Sequence, residues 1–108
     1  MIYELRTYRC QPGRLGDVVR RFQQHTIPLW EKHGIQHVGF WTVMIGASNH
    51  DFIYLLSWDT LSQRQELWEA FSSDPDWLEA KAASEVDGPI VTSVSNQLLK
   101  PTAFSALQ

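Results

Sequence analysis

The sequence predicts one α+β domain of ferredoxin-like order, β-α-β-β-α-β, with an antiparallel sheet carrying its helices on one face. Three observations carry that prediction. Strand-like stretches occur at residues 2–9, 35–45, 52–58 and 90–99, with helical periodicity in the two long intervals between them. The middle two stretches are separated only by a short polar loop, as in a hairpin. At 108 residues there is room for one core and not two, so residues 1–108 form a single domain, with 96–108 as an extended C-terminal segment.

The elements follow in order. In the first strand Ile2, Glu4, Arg6 and Tyr8 share one face, and Tyr3, Leu5, Thr7 and Arg9 the other. Pro12-Gly13 breaks the alternation. Leu15, Val18, Val19, Phe22, Thr26, Leu29 and Trp30 then form a helical stripe, with Arg14, Arg20, Arg21, Gln24 and Lys32 largely off it. Pro28 removes one backbone bond and predicts a kink, and Gly34 reads as the helix stop. The second strand is predicted over 35–45, the loop over 46–50, and a nearly continuous apolar strand over 52–58. Thr60 and Gln63 have capping-box spacing, and Leu61, Trp68 and Phe71 share a face of the helix they open. Asp74-Pro75 caps and starts another short helix, Gly88-Pro89 ends it, and Ile90–Leu99 is the last strand. An irregular tail runs from Pro101.

Composition excludes several classes. Nine Lys and Arg against 12 Asp and Glu give a formal net charge of -3, and the basic residues are scattered. A nucleic-acid binder usually shows a basic stripe, so no such partner is expected. No stretch is apolar for long enough to span a bilayer, so no membrane insertion is expected. The chain starts directly in strand pattern without a basic-then-apolar leader, and Cys10 is its one cysteine. Both point to a cytoplasmic protein. Five Trp, five Phe and three Tyr predict a well-filled core or an aromatic-lined cavity.

The sheet poses a physical problem. Val38, Phe40, Thr42 and Met44 oppose Gly39, Trp41, Val43 and Ile45, while Ile53 and Leu55 oppose Phe52, Tyr54, Leu56 and Trp58. Both faces are apolar, yet the helices cover one. A patch of Trp41, Val43, Tyr54 and Trp58 would exceed the ~300–600 Å² typical of the largest patch on a monomer. A two-fold partner is the simplest cover, which predicts a homodimer. The tail from Pro101 folding back would hide only part of the face.

Glu4, Arg6 and Tyr8 lie roughly 7 Å apart along the central strand. If Tyr3, Leu5 and Thr7 face the helices, these three face the cavity between two sheets. There they form either a ligand anchor or an ion pair that sets strand register. His37 shares parity with Trp41 and would rim that cavity as an acid–base group, or simply lie on the surface. His25, His33 and His50 show no metal-site spacing, so no metal is expected. Cys10 reads as a small packing residue. No phosphate loop, dinucleotide fingerprint or nucleophile elbow is present.

Several motifs carry a resemblance. They are Ile2-Tyr3-Glu4-Leu5-Arg6-Thr7-Tyr8, Pro12-Gly13, Gly39-Phe40-Trp41-Thr42, Ile53-Tyr54-Leu55, Trp58-Asp59-Thr60-Leu61 with Arg64, Asp74-Pro75-Asp76-Trp77, and Leu98-Leu99-Lys100-Pro101-Thr102-Ala103-Phe104-Ser105. In this order, over essentially the whole chain, they resemble the NIPSNAP family. The resemblance implies a dimeric α+β barrel of two facing sheets and a bacterial, functionally uncharacterised member. Related barrels include cofactor-free monooxygenases, haem-degrading enzymes and isomerases. The expectation is a homodimer binding a small organic molecule in the barrel cavity, with no cofactor, as a cofactor-independent oxygenase or isomerase would. Its candidate lining is Glu4, Arg6, Tyr8, His37, Trp41, Tyr54 and Trp58, with Arg6 on an anionic group, Glu4 orienting it or acting as base, and the tryptophans as walls. Arg64 fits the family motif too, and at its helix start it either joins that lining or simply pairs with a Glu or Asp. The alternative is a non-enzymatic interaction or structural module whose interior is only core.

Overall fold

The computed structural model describes residues 1–108. Strand β1 (Ile2–Cys10) leads into α1 (Leu15–Arg21), a π-helical turn (Phe22–Thr26) and α2 (Ile27–His33). Then come β2 (Gln36–Thr42), β3 (Asp51–Trp58), α3 (Leu61–Ser72), α4 (Pro75–Ser84) and β4 (Val91–Leu99). The sheet has the order β2-β3-β1-β4 and every pair is antiparallel, so the ferredoxin-like arrangement is present with β1 at its centre.

Local chemistry explains the boundaries. Pro28 has no N–H to give, and its ring would meet the carbonyl four residues back; the wider π turn before it takes up that conflict. Gly34 ends α2 in the left-handed region at φ 79°, and Ile35 N–H bonds back to Trp30 O at 2.9 Å. Thr60 Oγ1 accepts from Gln63 N–H at 3.0 Å, while Gln63 Oε1 reaches back to Asp59 N–H at 2.6 Å. The cap is reciprocal but one residue wider than the usual box. Asp74 caps α4 and also takes Lys32 at 2.9 Å and His33 at 2.7 Å, which ties α2 to α4. Strand β2 is shorter than expected. It ends at Thr42, and Met44 and Ile45 stand almost fully exposed in the loop after it.

The core lies between the helices and one sheet face. Val18, Phe22, Trp30, Phe52, Tyr54, Leu56, Trp58, Phe71 and Ile90 are buried there, with the Phe22 ring 4.7 Å from Phe52 and 5.4 Å from Trp30. This reverses the expected facing. Glu4, Arg6, Tyr8, Tyr54 and Trp58 point toward the helices; Tyr3, Leu5, Thr7, Ile53, Leu55 and Trp41 lie on the open face. Alternation says which residues share a face but not which face the helices take. The charges lie inside because Glu4 is paired with Arg6 and Arg64 and hydrogen-bonded by Trp58 and Asn96, which offsets the cost of burying it. A second correction concerns His37. A bulge at Val38 shifts the register, so His37 pairs with Leu56 and falls on the Phe40 side, opposite to Trp41. A Cβ at Gly39, beside that bulge, would sit 2.7 Å from the outer edge of the Trp41 ring, so a larger residue there requires the half-exposed Trp41 side chain to move.

The tail does fold back. Tyr3 Oη donates to Gln108 O at 2.9 Å, and Leu55, Leu99, Pro101 and Leu107 share a groove on the open face. It covers one corner and leaves Trp41 half exposed.

Candidate functional site

Cross-strand pairing builds the centre of the site. Arg6 stands opposite Tyr54 on β3 and Asn96 on β4, and Glu4 opposite Leu56 and Leu98. Glu4 is fully buried. Its carboxylate accepts from Arg64 Nε at 2.8 Å and Nη2 at 3.0 Å, Trp58 Nε1 at 3.0 Å, Asn96 Nδ2 at 2.9 Å and Arg6 Nη1 at 3.0 Å. The Thr60 cap sets the first turn of α3, which delivers Arg64 to this carboxylate in bidentate geometry. Burial alone would raise the Glu4 pKa. The hydrogen bonds from Arg64, Asn96 and Arg6, with the charge of Arg6, outweigh it and hold the carboxyl at about 2. A carboxylate so saturated is a poor proton acceptor, so Glu4 is no general base.

From Glu4 a polar chain runs under the helices. The Arg6 guanidinium lies 4.7 Å from the Trp68 ring centre and donates through Nε to Tyr54 Oη at 2.6 Å. Tyr54 Oη is 2.9 Å from Tyr8 Oη. Burial pushes the Tyr54 phenol well above its ordinary range, so it stays neutral.

Tyr8 opens on a cleft of about 500 Å³ between α4 and β4, lined also by Arg21, Trp77, Lys81, Glu85, Val91 and Val94. Arg21 on α1 is buried; its Nη1 holds Ser84 Oγ at 3.1 Å and Glu85 Oε1 at 3.3 Å, and its guanidinium stacks 5.3 Å from the Trp77 ring centre. Its Nε–H has no partner.

Five of the seven residues expected from sequence therefore come together: Glu4, Arg6, Tyr8, Tyr54 and Trp58. Trp41 is on the opposite face, and His37 sits at the outer edge with Nε2 3.7 Å from Glu31 Oε1. Of the two readings of Arg64, the structure shows the pairing with an acid, and that acid is Glu4. Sequence reasoning missed Asn96 and Trp68 and the whole lining of the cleft beyond Tyr8. Asn96 was within reach: it falls opposite Arg6 once the antiparallel β1–β4 register is written out. No group of three or more His, Cys, Asp or Glu side chains is placed to hold a metal ion, and no helix is long and apolar enough to cross a membrane.

A ferredoxin-like α+β domain with a charged hub under its helices is the class this fold and site define. The chain belongs to the NIPSNAP family, whose family model matches residues 3–106. Solved structures agree. A NIPSNAP family protein of unknown function from Agrobacterium tumefaciens is 27% identical, with a TM-score of 0.87 over 100% of this chain and 94% of the other. An uncharacterised NIPSNAP domain protein from Burkholderia xenovorans is 24% identical, with a TM-score of 0.84 over 97% and 98%. A candidate antibiotic biosynthesis monooxygenase from Chloroflexus aurantiacus shares the fold at 14% identity, with a TM-score of 0.57 over 100% of both chains. No curated protein matches the chain.

Proposed function

We propose that this NIPSNAP protein binds a small organic molecule, not in a lumen between two sheets but in the cleft between α4 and β4 of each protomer. The observation that carries the reading is the Tyr8 hydroxyl, left with a spare donor at the end of the buried chain where it opens on a cleft that the Arg21 guanidinium also lines. The volume of about 500 Å³ suits a metabolite-sized ligand. Binding needs no cofactor in this reading. Turnover would be that of a cofactor-independent oxygenase or isomerase, reactions in which a hydroxyl donor stabilises an enolate oxygen.

The same reading has the protein working as a homodimer through the open face, where Leu5, Ile53, Leu55 and Trp41 lack a helical cover. With Glu4 and Arg6 under the helices, that face is free to be an apolar interface. The rival, a non-enzymatic module, draws on the saturation of Glu4, which a purely structural hub would also show.

A metabolite screen by thermal shift tests the binding reading, because a ligand selective for the folded state raises its melting temperature. Val94 is half exposed on the cleft wall, so Val94→Trp fills the cleft without adding charge and leaves the core intact. The expected result is a set of ligands that stabilise the wild type and not this variant. Shifts that survive Val94→Trp would place binding elsewhere, and a screen without hits would favour the structural module. Mass analysis of each hit after aerobic incubation separates binding from turnover.

A further inference from the structure

We infer that the α4–β4 cleft selects a planar organic anion, a carboxylate or enolate on a ring-sized apolar body. This rests on the binding reading above and narrows it to one chemistry. The argument starts from hydrogen counting. Tyr54 is fully buried and its hydroxyl has two polar neighbours, Arg6 Nε at 2.6 Å and Tyr8 Oη at 2.9 Å. A guanidinium N–H can only donate, so the Tyr54 oxygen accepts from Arg6. The Tyr54 hydrogen then has one place to go, the Tyr8 oxygen. Tyr8 is left as an acceptor inside the fold and a donor outside it. Because the chain starts at a cation, each link polarises the next and the last O–H is a strengthened donor. Such a donor is best matched by a charged oxygen.

The rest of the cleft has the same sign. The Arg21 guanidinium stands in the cleft lining, and its charge acts on the cleft without its Nε–H being open to it. Lys81 adds a second cation, and Glu85 is the one carboxylate in the lining, already bonded to Arg21. The lining therefore carries an excess of positive charge. Trp77, Pro89, Val91 and Val94 supply the apolar wall that a ring would lie against.

Benzoate, with benzamide and benzyl alcohol as neutral counterparts, is the probe. Each is titrated into the isotope-labelled full chain while the Trp77 indole and the Val91–Val94 amides are followed by NMR. Benzoate is expected to bind about tenfold more tightly than either counterpart, the effect of one charge-assisted hydrogen bond. Tyr8→Phe, which keeps the ring against Phe22, should remove most of that preference. Lys81→Met, at an exposed position that cannot disturb the core, should reduce it independently of any effect of the first variant on folding. Equal binding of the three probes, or a benzoate preference unchanged in both variants, overturns the anion class while leaving small-molecule binding in place. If none of the probes perturbs the cleft, the inference falls, and the binding reading is decided separately by the metabolite screen.

Discussion

Glu4 accepts five hydrogen bonds in a shell closed to water, and two of its donors are guanidinium groups. Glu4→Gln keeps the shape but leaves Arg6 and Arg64 without a counter-charge. Breaking a buried pair in this way costs about 3–5 kcal/mol, so urea unfolding of the variant should show a loss of that size. A loss below about 1 kcal/mol would mean that the hub is solvated in solution. The pH dependence has a definite sign. The folded carboxyl lies at about 2, below its ordinary 4.5, so its contribution to stability is complete above pH 4.5 and drains away as pH falls toward about 2. Denaturation curves collected between pH 6 and pH 2 should show this acid limb in the wild type, and a shallower one in Glu4→Gln. Tyr8 and Arg6 share a lesson here. What each can offer a neighbour comes from which of its atoms are already occupied, and residue type alone cannot reveal that.

At the level of elements, α3 matters because its first turn carries Arg64 to Glu4. Thr60→Ala removes the side-chain cap and should cost about 1 kcal/mol of stability, measured by chemical denaturation. The helix end frays with it, so the amides of the first α3 turn should exchange hydrogen faster than those of α4. Unchanged exchange would show that the Glu4 clamp holds the turn without the cap. The long first helix teaches the opposite point. Pro28 was legible as a disruption, yet its outcome is a π turn upstream of it, because Trp30 and Phe22 are both fixed in the aromatic core and the strain is taken up between them. Strand β2 is similar: a bulge at Val38 cannot be read from alternation, and it alone put His37 on the wrong side.

For the whole molecule, the open face sets the expected assembly. Trp41→Asp places a charge in the centre of the proposed interface on a half-exposed residue, so the protomer should stay folded while the assembly dissociates. Light scattering should report a dimer for the wild type and a monomer for the variant. A monomeric wild type would remove the dimer from the reading. What the chain order determined unaided is the architecture: four strands, their hairpin, the caps at Thr60 and Asp74, and the family. Those features are local, set by side-chain periodicity and by turn chemistry that a few neighbouring residues decide. Residue alternation also grouped Glu4 with Arg6 and Tyr8, and Tyr54 with Trp58, correctly. Only the tertiary structure decided that this group lies beneath the helices, and that Arg64, Asn96 and Trp68 close over it from α3 and β4. The physical reason is that burying a charge is favourable or ruinous according to its partners. Those partners lie 60 and 92 residues away along the chain.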